Sequence, residues 1–302
     1  MASSHLLSTH DLNREDITSI LDDAAAILPA HANLPDVEQS LAGRNIVLAF
    51  LEPSTRTRLS FETAAQRLGA STVLFQATGS SVEKGETLRE SLRTIESMGF
   101  DAVVLRHGQN GVHREVASWS RMAVINAGEG TMQHPTQALL DAATIRERFG
   151  TIDGVKVAIV GDLLHSRVAR STADVLQKCG AEIGYCAPDA LVPTDSQFAN
   201  AQRLASIEAC CSWADVVYLL RIQRERLAAD VHIDEQAYRA SYALTTAVAE
   251  AHPTIVVLHP GPVNIGVELD AAILDHSSCL VHRQVTQGVA VRMAVLQRLL
   301  HS

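Results

Sequence analysis

Short apolar runs alternate along this chain with stretches whose apolar residues recur every three or four positions. The runs suit buried strands and the recurring spacing suits amphipathic helices. Strands are predicted at 45–50, 71–75, 101–105, 122–126, 155–160, 182–186, 215–220 and 255–258. Helical spacing covers 56–68, 87–98, 111–119, 136–148, 167–179, 200–209 and 269–275, with a final helix over 289–300. A first helix, capped by Thr9 or Asp11, runs to Leu28 and carries Leu12, Ile17, Ile20, Leu21 and Ala24 on one face. Such alternation predicts an α/β fold of two domains, each a mainly parallel sheet flanked by helices. The chain divides near 134–150, where a long helix ends in Phe149-Gly150 before the strand at Val155, leaving four strands on each side. Ligands of open α/β sheets bind at the carboxyl ends of the strands, so the active site is expected in the cleft between the two domains.

The polar segments fall at those ends. Ser54, Thr55, Arg56, Thr57 and Arg58 lie between the run Ile46–Leu51 and a stretch in which Phe61, Ala64, Ala65 and Leu68 keep helical spacing. A Ser/Thr cap followed by solvated arginines would explain an isolated S-T-R. Five donor-bearing residues in succession exceed what capping requires. Where a strand gives way to a helix, unpaired N–H groups and the helix dipole favour an anion, and phosphate is the expected guest. Arg106 ends another strand, and Asn126 to Gln137 follows the next, with His134 and Gln137 three residues apart. In the second half, Asp162 precedes His165-Ser166-Arg167, Arg221-Ile222-Gln223 follows 215–220, and His259-Pro260-Gly261-Pro262 follows 255–258. The prolines and glycine of that last turn are expected to expose backbone carbonyls and N–H groups. Arg167 and Arg221 suit bidentate carboxylate recognition, so two anionic substrates are expected.

Composition narrows the chemistry. The 302 residues, 47% hydrophobic, suffice for two cores. Lys plus Arg number 25 against 34 Asp plus Glu, a net charge of 25 − 34 = −9, which argues against nucleic acid as a partner and makes the arginines local features on an acidic background. Five cysteines, without a C-x-x-C pair or zinc-type spacing, read as reduced buried residues of a cytoplasmic protein. No basic segment followed by an apolar core opens the sequence, and no apolar run reaches bilayer length, so no membrane association is expected. G-x-G-x-x-G, G-x-x-x-x-G-K-[ST] and G-x-S-x-G are all missing, as is a carboxylate cluster for a metal. Group transfer by positioning, from an activated phosphate-bearing donor to an amine, fits this inventory.

Glu52-Pro53-Ser54-Thr55-Arg56-Thr57-Arg58-Leu59-Ser60-Phe61-Glu62 resembles the signature of the aspartate and ornithine transcarbamoylases. Ser80-Ser81-Val82-Glu83-Lys84-Gly85-Glu86-Thr87, His134-Pro135-Thr136-Gln137, Arg221-Ile222-Gln223 and His259-Pro260-Gly261-Pro262 extend the likeness nearly end to end. Ornithine enzymes usually carry lysine where Glu52 stands, an S-M-G acceptor loop and an H-C-L-P turn, none of them at the matching places here, so the resemblance is to the aspartate side of the family. It implies transfer of a carbamoyl group from carbamoyl phosphate to L-aspartate, giving N-carbamoyl-L-aspartate and phosphate, the committed step of pyrimidine synthesis. Neither a metal nor an organic cofactor is implied.

By the same resemblance Ser54, Thr55, Arg56 and Thr57 hold the phosphate, and Thr55, Arg106 and His134 polarise the carbamoyl carbonyl. Gln137 with the backbone at Pro260 and Gly261 orients the carbamoyl amide and the amine, and Gly261 and Pro262 border the acceptor. Arg167, Arg221 and Gln223 hold the aspartate carboxylates, while Glu52 bridges to Arg167 or Arg226 on closure. Ser80 and Lys84 reach into the site of a neighbouring chain as a phosphate clamp, with Lys84 also binding the aspartate, which implies a homotrimer, alone or within a larger assembly with regulatory chains or dihydroorotase. The family pattern assigns 1–134 to carbamoyl phosphate and 135–285 to aspartate, with the C-terminal helix 286–302 packing back on the first domain. Two positions depart from it. Ile265 stands where Arg is common, and Glu129 where Asp is usual. An ornithine-type transcarbamoylase and an inactive assembly partner of dihydroorotase are the alternatives.

Overall fold

The computed structural model describes residues 4–29, 34, 39–76, 85–223 and 233–301. It divides into two compact units, Met1–Ala143 with Val285–Ser302, and Thr144–Gln284. The first division falls inside a helix, Pro135–Phe149, rather than at 134/135. The reason is packing: the first turns of that helix bury Ala138, Leu139 and Ala142 in the unit that contains the preceding strand.

In the first unit β1 (Asn45–Phe50), β2 (Ser71–Gln76), β3 (Ala102–His107) and β4 (Ala123–Glu129) form a parallel sheet in the order β2-β1-β3-β4. Alternate residues Val47, Ala49, Val103, Leu105 and Val124 pack with Leu92 of α3 (Leu88–Ser97) and Val116 of α4 (Val112–Ala117). α1 (Arg14–Ile27) is capped by Asn13, whose side chain accepts from Asp16 N in a capping box, not by Thr9 or Asp11. Thr9–Asp11 instead form a short 3₁₀ turn. At the far edge Leu6 pairs with Ile125, its N–H donating to Val124 O at 2.9 Å.

The helix α2 (Thr55–Arg67) connects β1 to β2, and α5 (Pro135–Phe149) follows β4. The last helix of the chain starts at Val281, ahead of the expected 286 or 289, and runs to Leu300. Its Arg292 is wholly buried: Nη1 donates to Ser60 Oγ at 2.8 Å and to Gly288 O at 3.1 Å, and the guanidinium carbon lies 5.0 Å from the Phe61 ring. Burial lowers the pKa of this arginine to about 10, with the Asp141 charge opposing the shift.

The second unit holds a five-stranded parallel sheet where four strands were expected. β5 (Lys156–Val160), β6 (Glu182–Cys186), β7 (Gln202–Arg203), β8 (Val216–Leu219) and β9 (Val256–Leu258) stand in the order β7-β6-β5-β8-β9. The helix expected over 200–209 is replaced by β7 and a later helix, Ile207–Trp213, because Leu204 N joins Tyr185 O at 2.8 Å and Ser206 then caps the helix. The segment 269–275 is a 3₁₀ turn, Ala271–Asp275, and two helices that periodicity did not announce, Glu235–Tyr242 and Thr246–Ala251, precede β9. Arg167–Lys178 connects β5 to β6.

Strand order reverses once in each sheet. From β1 the chain steps out to β2 and then returns to the other side of β1 as β3; from β5 it steps to β6 and β7 and returns beside β5 as β8. Loops leaving the strands on either side of such a reversal diverge and open a crevice at their carboxyl ends. Among the described residues no helix is long and apolar enough to cross a membrane.

Gly184, inside β6, is kept bare by its neighbours, since a Cβ there would lie 2.7 Å from Trp213 Cζ3 and 3.1 Å from Leu204 Cδ1. Gly184→Ala is expected to destabilise the protein by about 1–3 kcal/mol through overpacking. Urea denaturation followed by tryptophan fluorescence checks it, and an unchanged midpoint would contradict the tight packing of Trp213.

Candidate active site

The polar segments follow the carboxyl ends of the strands, those after β1, β3, β5 and β8 at the two reversals and those after β4 and β9 on the adjacent strands. In the first unit Ser54 occupies the cap position of α2 with extended backbone (φ −163°, ψ 106°), yet its hydroxyl makes no capping bond. Caps elsewhere behave otherwise, with Ser166 accepting from Ala169 N and Thr245 from Val248 N. The first-turn N–H groups of α2 therefore lack the usual side-chain acceptor, which favours the anion reading over simple capping. Thr55 and Arg56 are exposed at this end, and Thr57 is buried.

Arg106 stands beside Phe50 in the β1–β3 register, so the strand across the reversal sets a cation next to the exit of β1. It is 9% exposed. Nη1 donates to Ala127 O at 3.1 Å, and Nη2 lies 3.5 Å from Glu52 Oε1. At the exit of β4, Gln133 accepts from Thr9 N and Oγ1 at 3.0 and 3.1 Å, and buried His134 leads into α5 through Pro135. One turn further, Gln137 donates Nε2 to Asp141 Oδ1 at 2.9 Å. That bond orients the amide, leaving the carbonyl oxygen of Gln137 as its acceptor.

The loop after β3 is anchored by Glu129. This carboxylate accepts from Gly111 N at 2.6 Å and lies 3.6 Å from His113 Nδ1, whose Nε2 reaches Leu105 O at 2.8 Å. Burial pushes the Glu129 carboxyl up, but His113 and the Gly111 N–H outweigh it and hold it below the ordinary glutamate range.

In the second unit β5 exits through Gly161 (φ +118°), where a Cβ would lie 2.9 Å from Leu220 O and 3.0 Å from Tyr238 Oη. The next residue, Asp162, is fully buried and accepts from His165 N, His165 Nδ1 and Gln223 N at 3.1, 3.0 and 3.3 Å. Buried Arg167 opens its helix behind the Ser166 cap. Half-buried Arg221 leaves β8, and Gln223 Nε2 donates to His165 O at 3.0 Å. One segment after β8 thus leans on the loop after β5.

After β9, His259 N donates to Gln284 Oε1 at 3.0 Å and Gly261 N to His259 Nδ1 at 2.8 Å. This narrows the sequence-based expectation for the turn. The Gly261 N–H is taken and the two prolines have none, so residues 260–262 offer carbonyls, not N–H groups, to a ligand.

Ser80, Lys84 and Arg226 lie outside the described residues. Among those described, no group of three or more His, Cys, Asp or Glu residues is placed to hold a metal ion. Sequence reasoning missed the supporting acids. Asp141 sits one helical turn from Gln137, a spacing that could have found it, whereas Glu268, buried in the run Val267-Glu268-Leu269, gave only the weak signal of a charge among apolar residues.

Comparison with known proteins agrees with this arrangement. The carbamoyl-P binding domain of the aspartate/ornithine carbamoyltransferases matches residues 4–147, and their Asp/Orn binding domain matches residues 153–299. An aspartate carbamoyltransferase catalytic subunit from Acidothermus cellulolyticus is 48% identical over 98% of this chain and 92% of its own length. The solved catalytic subunit of M. jannaschii aspartate transcarbamoylase is 35% identical, with TM-score 0.85 and 98% of each chain covered. Aspartate transcarbamoylase from Trypanosoma cruzi, solved with carbamoyl phosphate and aspartate, is 32% identical with TM-score 0.85, covering 97% of this chain and 95% of that one. With both domains matched in order over nearly its whole length, the chain belongs to the aspartate/ornithine carbamoyltransferase family.

Proposed function

We propose that this protein transfers the carbamoyl group of carbamoyl phosphate to the α-amino group of L-aspartate, releasing phosphate and N-carbamoyl-L-aspartate for pyrimidine synthesis. The observation that carries the reading is the separation of cations into two sets. Arg56 and Arg106 stand at the reversal in the first sheet, Arg167 and Arg221 at the reversal in the second, as two anionic substrates require. Ligands of the T. cruzi relative support the same pair.

Ser54, Thr55, Arg56 and Thr57 bind the phosphate through hydroxyls, the guanidinium and the start of α2. Thr55, Arg106 and His134 polarise the carbamoyl carbonyl and stabilise the oxyanion that forms as the amine attacks. Gln137, with Nε2 held by Asp141, accepts a carbamoyl N–H on its carbonyl oxygen. The carbonyls at Pro260 and Gly261 accept from the carbamoyl amide or the amine, and Gly261 and Pro262 border the acceptor. Arg167, Arg221 and Gln223 hold the two aspartate carboxylates. The amine attacks unprotonated, a C–N bond forms, the C–O bond to phosphate breaks, and the departing phosphate takes the amine proton.

A homotrimer completes the site with Ser80 and Lys84 of a neighbouring copy. β2 supports this: it is an edge strand whose Val73 and Leu74 are 52% and 39% exposed, and it ends just before the segment carrying both residues. A cytoplasmic location accords with free cysteines at 179, 186, 210, 211 and 279.

Purified protein should carbamoylate aspartate and leave ornithine essentially unused, because Arg167 and Arg221 repel a second ammonium. Arg221→Ala should raise the KM for aspartate far more than that for carbamoyl phosphate. Comparable use of ornithine by the wild type would overturn the acceptor assignment. Arg56→Ala should fold normally and lower turnover by about 10²-fold or more; activity within about threefold of wild type would remove Arg56 from the site. Inactive Lys84→Ala and Arg56→Ala subunits, dissociated and reassembled together, should recover part of the activity, since some mixed sites then hold both native residues. Verified hybrid oligomers with no activity would contradict a shared site.

A further inference from the structure

Glu268 belongs to none of the motifs, yet it is 1% exposed and its carboxylate is fully committed to two of them. Oε1 accepts from Ile222 N at 3.1 Å and from Asn264 Nδ2 at 2.7 Å, while Oε2 accepts from Asn264 N at 2.6 Å. Ile222 lies between Arg221 and Gln223, and Asn264 ends the turn that begins at His259. One side chain therefore joins the segment after β8 to the turn after β9.

The backbone around Glu268 is itself fixed. Its carbonyl accepts from Leu244 N at 2.9 Å, and Asn264 O accepts from Val267 N at 3.0 Å. On the other side, the neighbouring N–H of Gln223 is taken by Asp162 at 3.3 Å. Successive amides of the 221–223 segment are thus held by two buried carboxylates from different loops. Burial pushes the Glu268 carboxyl above the ordinary glutamate range, while its N–H donors and the Arg221 charge pull it back. A charge kept in so dry a place, with three donors aimed at it, needs all three to remain tolerable.

We propose that Glu268 is a positioning residue for acceptor recognition: it sets the register between Arg221 and the carbonyls of residues 260–262, so that a dicarboxylate amine meets both at once. The inference rests on the proposed carbamoyl transfer to aspartate. Glu268 touches no substrate. Glutamine cannot replace it, because its single oxygen leaves an NH₂ group facing an N–H donor. Losing one hydrogen bond to a charged group displaces the segment that carries Arg221, and aspartate binding should weaken by on the order of tenfold or more. Donor binding, anchored by the phosphate contacts and Arg106 of the first unit and met by residues 260 and 261 only at the carbamoyl amide, should change far less.

The experiment measures KM for aspartate and for carbamoyl phosphate in wild type, Glu268→Gln and Asn264→Ala, with calorimetric binding of succinate, a dicarboxylate without the amine, at saturating carbamoyl phosphate. Glu268→Gln should raise the aspartate KM and weaken succinate by about tenfold or more, with the carbamoyl phosphate KM within about twofold. Asn264→Ala, which removes only the Nδ2 bond, should shift the same quantities in the same direction by less, and it decides the matter if Glu268→Gln does not fold. An aspartate KM unchanged in a folded variant, or equal losses for donor and acceptor, would overturn the inference. A wild type that cannot carbamoylate aspartate would instead overturn the reaction on which it rests.

Discussion

A carboxylate accepting backbone N–H groups, out of water, is the interaction on which both halves of this molecule depend. Loops that leave a parallel sheet at a strand-order reversal have no ladder partners for their amides, and a crevice there cannot be filled with helix. The chain meets the requirement with acids from the same or a neighbouring segment: Glu129 on Gly111, Asp162 on His165 and Gln223, Glu268 on Ile222 and Asn264. Each acid binds a segment other than its own or closes a turn within it, so the loops are fixed relative to one another and to the sheet that bears them. Preorganised recognition of anions needs that rigidity, because donors that must reorganise on binding lose much of their electrostatic advantage.

The same arrangement explains how a chain of net charge −9 handles anions. Glu129, Asp162 and Glu268 are turned inward onto amides, where hydrogen bonds absorb their charge, while Arg106, Arg167 and Arg221 stand after the strand exits. Arg106 illustrates the balance. It is held by a carbonyl and faces Glu52 at 3.5 Å, longer than a close bidentate pair would be.

Where sequence and structure agree, the cause is periodicity. Every strand from Asn45 to Leu258 that carries a continuous apolar run was legible, the exposed edge strand β2 by that run alone and the others because a strand covered on both faces has few ways to be anything else. Exits of strands were legible for the same reason, and with them the placement of Ser54, Arg106, His134, Arg167 and Arg221 at or after those exits. The two-residue strand Gln202–Arg203 was not, since it is an exposed edge with no apolar face and is created by pairing with β6. Nor were Glu235–Tyr242 and Thr246–Ala251, short helices whose ends are set by the Asp234 and Thr245 caps more than by an apolar stripe. The supporting acids escaped because their role depends on contacts far apart in sequence: nothing in the neighbourhood of Glu268 announces Ile222, 46 positions away.

The last helix has a consequence for how the molecule is made. Residues 285–302 belong to the unit that begins at the N-terminus, and Arg292 reaches Ser60 and Phe61 on α2. On the ribosome, the second unit is complete in sequence as soon as Gln284 has emerged, whereas the first, although synthesised earlier, still lacks a wall. Vectorial folding is therefore inverted: the later unit can close while the earlier one waits for the residues after Gln284. Loss of the last helix would spare the second unit's sheet and strike the first, where Ser60 lies 232 positions upstream of the Arg292 that reaches it.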